Sequence, residues 1–326
     1  MRILALFIFL FGMAGPPALA GPPRKMMKAW PKTDFERSSI DFSSIMAGGP
    51  PKDGIPSIDQ PKFIAVSTSD LPGNEPVVGL MVNGVARAYP LRILTWHEIV
   101  NDEIGRVPVI VTYCPLCNSA IVYDRRIEGE AGAPTFGTSG MLRNSNLIMY
   151  DRASETWWQQ FTGNAIVGRF NKIKLKTLPS RLESFARFKK RFPKGQVLVP
   201  NDPGARPYGR NPYAGYDSAV KPFLYRGDLP KNIEPMMRVV VVGDTAYGLS
   251  LIRDQLSLTD GDVRLIYEGD HASALDQKSI KDSRPVPGVS VQKRRSDGVW
   301  VEVPYDVTFA FVFHAFKPKG KWKLAL

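Results

Sequence analysis

Turn-forming residues cut this chain into apolar runs too short to alternate with long helices, which disfavours a doubly wound parallel sheet. The clearest cut is Asn83-Gly84, between Val77–Val82 and Val85–Tyr89. Asn and Gly both tolerate positive φ, so the pair predicts a tight β-hairpin. Val107–Tyr113 and Ser119–Asp124 are rich in β-formers and flank Cys114-Pro115-Leu116-Cys117, so they predict two strands joined by a turn. Further short strands are expected near 134–138, 146–151 and 165–170. The C-terminal third predicts strands at Arg238–Val242, Ala246–Ile252, Val263–Tyr267 and Val307–Phe316, and a hairpin around Asp297-Gly298. One longer helix is expected from Ser180 to about Phe192, with Leu182, Phe185 and Phe188 on one stripe. Thr95-Trp96-His97-Glu98 matches a capping box, which places His97 in the first turn of a short helix. The fold class is mainly β, at the α+β margin: a single compact domain over 61–326 of packed antiparallel sheets with few short helices. Residues 21–60, rich in Pro, Gly, Lys and Ser, read as an extended N-terminal arm.

The N-terminus carries its own signal. Arg2 precedes the apolar run Ile3–Gly15, then Pro16-Pro17 and Ala18-Leu19-Ala20. These are the parts of a secretory signal peptide over 1–20 with cleavage after Ala20. The run falls short of the roughly 20 residues needed to span a bilayer. The expectation is an exported, periplasmic or secreted protein with no transmembrane segment in the mature chain. The net charge of +12 comes from basic residues spread along the chain. Outside the cytoplasm that argues against a nucleic-acid partner and fits either a solvated basic face or attraction to an anionic envelope surface.

The chain has two cysteines, Cys114 and Cys117. One close pair rules out a disulfide-stapled scaffold, so burial must hold the core.

Four blocks then resemble a known family. They are Gly84–Asp102; Val111–Ala120 with its Cys-Pro-Leu-Cys; Phe136–Gly140 with Asn144–Arg152 and Glu155–Gln160; and Tyr208–Tyr216. In this order, from roughly Phe63 onward, they are similar to the family called domain of unknown function 3179. Ala310–Phe316 is similar to that family's closing strand, although Lys317-Pro318 follows where a Pro-Asp is expected. The resemblance implies an exported or envelope protein and no activity.

Chemistry therefore rests on the residues. A Cys-x-x-C turn between strands can aim two thiolates at one soft metal ion, copper or zinc. With no second Cys-x-x-Cys, the further ligands are sought in His97, then His314, with Met141 and Met149 more remote. The same turn can serve as a thiol–disulfide oxidoreductase site. The long helix that follows such a motif in a thioredoxin-like site is missing here. A third alternative is a non-enzymatic binding module with a structural pair, although so short a loop gains little from cross-linking. Trp158 and Gln159 are expected to line the site. His271 reads as exposed, and Tyr208–Tyr216 as a loop that either lines a groove or packs its own rings. A serine nucleophile lacks the Gly-x-Ser-x-Gly elbow.

Overall fold

The computed structural model describes residues 21–325; the expected signal segment, 1–20, lies outside them. The chain is mostly strand with few short helices, arranged as five small, largely antiparallel sheets in a five-blade propeller-like ring. The expected mainly β class is what the structure has. The Asn83-Gly84 hairpin joins Pro76–Val82 to Val85–Pro90, with Val82 opposite Val85. Ile99–Ile104, Val107–Cys114 and Ser119–Asp124 form a three-stranded meander, and Cys114 pairs with Ser119 across the Cys-Pro-Leu-Cys turn. Beside it, Phe136–Arg143 pairs with Asn146–Asp151, and Trp157–Gln159 adds the next strand. Among the described residues no helix is long and apolar enough to cross a membrane.

One unit recurs four times. A short strand runs directly into a seven-residue helix at Val85–Pro90/Leu91–His97, Arg181–Ser184/Phe185–Arg191, Thr245–Gly248/Leu249–Gln255 and Asp306–Phe309/Ala310–Phe316. Three of these correct the sequence expectation. The helix expected from Ser180 is half strand: Leu182 sits opposite Val78 in a sheet, and the helix begins only after Ser184, whose hydroxyl accepts from the Arg187 N–H. The strands expected over 246–252 and 307–316 each turn helical, at Leu249 and Ala310. A two-turn helix buries too few residues to display a 3.6-residue period, so each unit reads as one continuous apolar run.

The remaining unit, Val85–Pro90/Leu91–His97, overturns the capping box. Pro90 holds the extended position before the helix, Thr95 Oγ1 donates back to the Leu91 carbonyl at 2.6 Å, and Glu98 closes the helix with φ 56°, ψ −28°. His97 is thus the last helical residue, at the end of the helix opposite to the one expected.

Residues 21–60 lie against the domain. Ile45–Ala47 pairs with Met141–Arg143, and Ile58 bridges to Val100. Trp30, Ile40 and Phe42 are buried with Trp157, and the Trp30 and Trp157 rings meet edge to face at 5.3 Å. Trp30→Ala should destabilise the protein by about 3 kcal/mol in urea unfolding. A loss below about 0.5 kcal/mol would show that the arm contributes nothing to the fold.

Candidate functional site: a buried dithiol facing a carboxylic acid

Two tight turns meet at the site. In the first, Val107–Cys114 ends in the 3₁₀ turn Pro115–Cys117, and Asn118 follows at φ 51°, ψ 35° to start the return strand. Asn118 Nδ2 donates to the Val307 carbonyl at 3.1 Å, and Thr308 Oγ1 donates to the Cys117 carbonyl at 2.7 Å, so a neighbouring strand fixes the turn. In the second, Asn144 and Ser145 both take positive φ, 53° and 61°, between Arg143 and Asn146. Two successive positive-φ residues describe a hairpin turn that Asn-Gly would adopt without strain. Serine carries a Cβ there, and the position is fully buried. Its hydroxyl donates to the Phe223 carbonyl at 2.6 Å.

The second turn points the Ser145 carbonyl at both thiols. Cys117 Sγ lies 3.4 Å from it and Cys114 Sγ 3.8 Å. Asn146 Nδ2 donates to Cys117 Sγ at 3.4 Å and to Gln160 Oε1 at 2.7 Å. Gln160 in turn donates to Thr112 Oγ1 at 3.0 Å, and Gln159 Nε2 grips Asn146 Oδ1 at 2.7 Å. The sulfurs are 3.3 Å apart, both cysteines are reduced, and both are buried. Burial, followed by the neighbouring Cys114, pushes the Cys117 thiol well above its usual range.

The Cys114 side opens on a small cavity of about 80 Å³. Glu98 and Tyr213 line it with Cys114, against Met141, Leu142 and Leu147. Gly48, Pro50 and Ile55 of the arm form one wall, held by the Gly48 N–H on the Gly140 carbonyl at 2.8 Å and the Asp53 N–H on the Thr138 carbonyl at 2.9 Å. Burial raises the Glu98 carboxyl to about 8. Its backbone is bonded at both ends, to Leu94 and Tyr113, but its side chain has no cation or hydrogen-bond donor to offset that burial.

The turn geometry does not require an acid at this position. Leu249–Gln255 ends on Leu256 at φ 63°, ψ −32°, and leads into the strand Ser257–Asp260 just as Glu98 leads into Ile99–Ile104. There the position carries an exposed leucine. The carboxyl of Glu98 therefore serves the cavity, not the turn. On the far side, Asp306 is buried: Oδ1 accepts from the Ala120 N–H at 3.0 Å, Oδ2 has no partner, and burial raises this carboxyl to about 6.

The expected residues fall as follows. Cys114 and Cys117 come together. His97 is engaged elsewhere: Nδ1 meets the Pro56 carbonyl at 2.7 Å, which only accepts, so Nδ1 carries the proton and Nε2 accepts from Tyr208 Oη at 2.8 Å. Burial lowers its pKa, so the ring is neutral for a different reason than a helix N-terminus. His314 lies half-buried on the last helix, not in a strand. Among the described residues, no three His, Cys, Asp or Glu side chains gather as a ligand set. Trp158 is fully buried in the same core as the cysteines, its Nε1 on Asp151 at 3.2 Å, and Gln159 reaches the thiols through Asn146. His271, expected exposed, is a buried strand residue, and burial lowers its pKa to about 4. The Tyr208–Tyr216 loop packs onto the site: Tyr216 Oη donates to the Leu116 carbonyl at 3.0 Å, and Tyr213 lines the cavity. Glu98, Ser145 and Asn146 are the site residues that sequence reasoning missed; Tyr213 belongs to the loop for which a groove-lining place was one of two expectations. The one signal for Asn146 and Ser145 was their place in the Asn144–Arg152 block.

The family model for proteins of unknown function DUF3179 matches residues 52–320. The chain belongs to that family. No curated protein and no solved structure matches it. The matched span includes both turns, Glu98 and Tyr213, and it starts inside the arm, after Gly48 and Pro50 and before Ile55 of the cavity wall.

The unpartnered acid yields a stability prediction. The folded Glu98 carboxyl titrates near 8, against 4.5 for the free side chain. The native state therefore keeps a proton that the unfolded chain releases, and stability falls as pH rises through that window. Glu98→Gln should gain on the wild type between about pH 5 and pH 8 by on the order of a few kcal/mol. Urea midpoints at both pH values measure it. A difference that does not change with pH would mean that Glu98 is not buried as an unpaired acid.

Proposed function

We propose that Cys114 and Cys117 form a redox-active dithiol and that Glu98 handles a proton at it. The observation that carries the reading is the pair of sulfurs at 3.3 Å beside a buried, unpartnered carboxyl in one cavity. A disulfide needs the sulfurs closer by only about 1.2 Å. Oxidation joins the two sulfurs, passes two electrons to a disulfide or another two-electron acceptor, and releases two protons. A carboxyl titrating near 8 keeps its proton at neutral pH, so it can give that proton to a departing group and be refilled from Cys114. The strained, buried Ser145 backbone fits a site where geometry is held for chemistry. The structural-staple alternative gives no reason for an acid at position 98. The copper or zinc alternative has two thiols, but His97 and His314 do not complete a ligand set with them. The reading goes with an exported protein, for which Ile3–Gly15 and Ala18-Leu19-Ala20 speak.

Diamide, a small dithiol oxidant, tests it. The folded wild type should lose both free thiols, form one intramolecular disulfide by mass, and recover both thiols with dithiothreitol while its circular dichroism is unchanged. Cys114→Ser and Cys117→Ser should each form no intramolecular bond. Thiols that react only after unfolding would refute the proposal. One equivalent of copper or zinc in protein purified without chelator, lost in the double serine variant, would put the metal reading in its place.

A further inference from the structure

Neither sulfur can be reached by another protein's surface. Cys117 is fully buried and Cys114 only 2% exposed, and the open side of Cys114 is the cavity walled by the arm. About 80 Å³ holds roughly two or three water-sized molecules. Ile55, Met141, Leu142 and Leu147 make the walls apolar, while Glu98 and Tyr213 supply the polar groups. A molecule of two oxygen atoms fits such a space as it stands; a peptide disulfide or glutathione disulfide reaches Cys114 only when the site opens locally, and so reacts more slowly.

We infer that the oxidant of this dithiol is hydrogen peroxide, taken up in the cavity between Cys114 and Glu98. The inference rests on the dithiol reading above. Cys114 Sγ gives an electron pair to one peroxide oxygen, so an S–O bond forms as the O–O bond breaks. The Cys114 proton passes through the Glu98 carboxyl to the departing oxygen, which leaves as water, and Cys114 becomes a sulfenic acid. Cys117 Sγ then attacks the Cys114 sulfur. The S–S bond forms, the S–O bond breaks, and the hydroxyl leaves as a second water with the Cys117 proton. One dithiol and one peroxide thus give one disulfide and two waters, and the dithiol is the reductant. Three features of the site serve these steps. The resolving sulfur is already 3.3 Å away. Asn146 and the Ser145 carbonyl keep it aimed. The buried site keeps bulkier thiols from intercepting the sulfenic acid.

Rates of disulfide formation in the full chain test this with hydrogen peroxide, cumene hydroperoxide and glutathione disulfide as probes. Hydrogen peroxide should react at least tenfold faster than either larger oxidant. Glu98→Gln should slow the peroxide reaction by roughly 10²-fold and leave thermal unfolding cooperative. In Cys117→Ser, dimedone present as the peroxide-treated protein is unfolded should trap a sulfenic acid on Cys114 that the wild type does not accumulate. Equal or faster oxidation by glutathione disulfide would overturn the inference and leave the dithiol reading standing. Oxidation by none of the probes, nor by diamide, in the folded protein would overturn both. Peroxide oxidation at the same rate in Glu98→Gln would remove the acid from the step.

Discussion

The contact between the Cys-Pro-Leu-Cys turn and the Asn144–Asn146 turn is the constraint on which the site depends. The two turns come from different sheets, and each needs residues at positive φ to close. Their meeting places one backbone carbonyl against two sulfurs and one asparagine amide against the deeper sulfur. From Asn146 the hydrogen bonds run outward through Gln159 and Gln160 to Thr112, on the same strand as Cys114. The polar groups around the thiols are thereby joined into one network within the largest apolar cluster of the protein.

Electrostatics gives the site its direction. Glu98 lines the Cys114 cavity and Asp306 lies on the Cys117 side, and burial raises both carboxyls, to about 8 and about 6. Neither has a cation beside it. Other buried acids of the fold are satisfied: Glu75 pairs with Arg92 at 2.7 Å, Asp217 with Arg238 at 3.0 Å, and Asp151 accepts from the Ser154 N–H at 2.7 Å and Trp158 Nε1 at 3.2 Å. Acids left without such partners, next to thiols, are what proton transfer at neutral pH requires.

Much of the frame was legible in the sequence. Asn83-Gly84, the strands on either side of the cysteines and the Asp297-Gly298 hairpin all carry residues whose φ preferences leave few alternatives. The strand-to-helix units were not legible, because a strand of four to six residues followed by a seven-residue helix leaves neither period long enough to register. The same defect misplaced His97 and hid Glu98: Thr95 and Glu98 have capping-box spacing, and only the Thr95 bond back to Leu91 and the Glu98 dihedrals show that they end a helix. The cysteine pair was plain from spacing, while its surroundings were not. Ser145, Asn146 and Tyr213 reach it from 28 to 96 residues away in sequence, a distance that only the fold closes.

The central claim is that the buried pair cycles without unfolding. The most direct test is to count free thiols in the folded full-length protein across a series of glutathione redox buffers at neutral pH, with each sample incubated to equilibrium. The account predicts that both thiols disappear together in a single reversible two-electron step while the protein stays folded. Two free thiols at every poise, or a disulfide that breaks only when the protein unfolds, would contradict it.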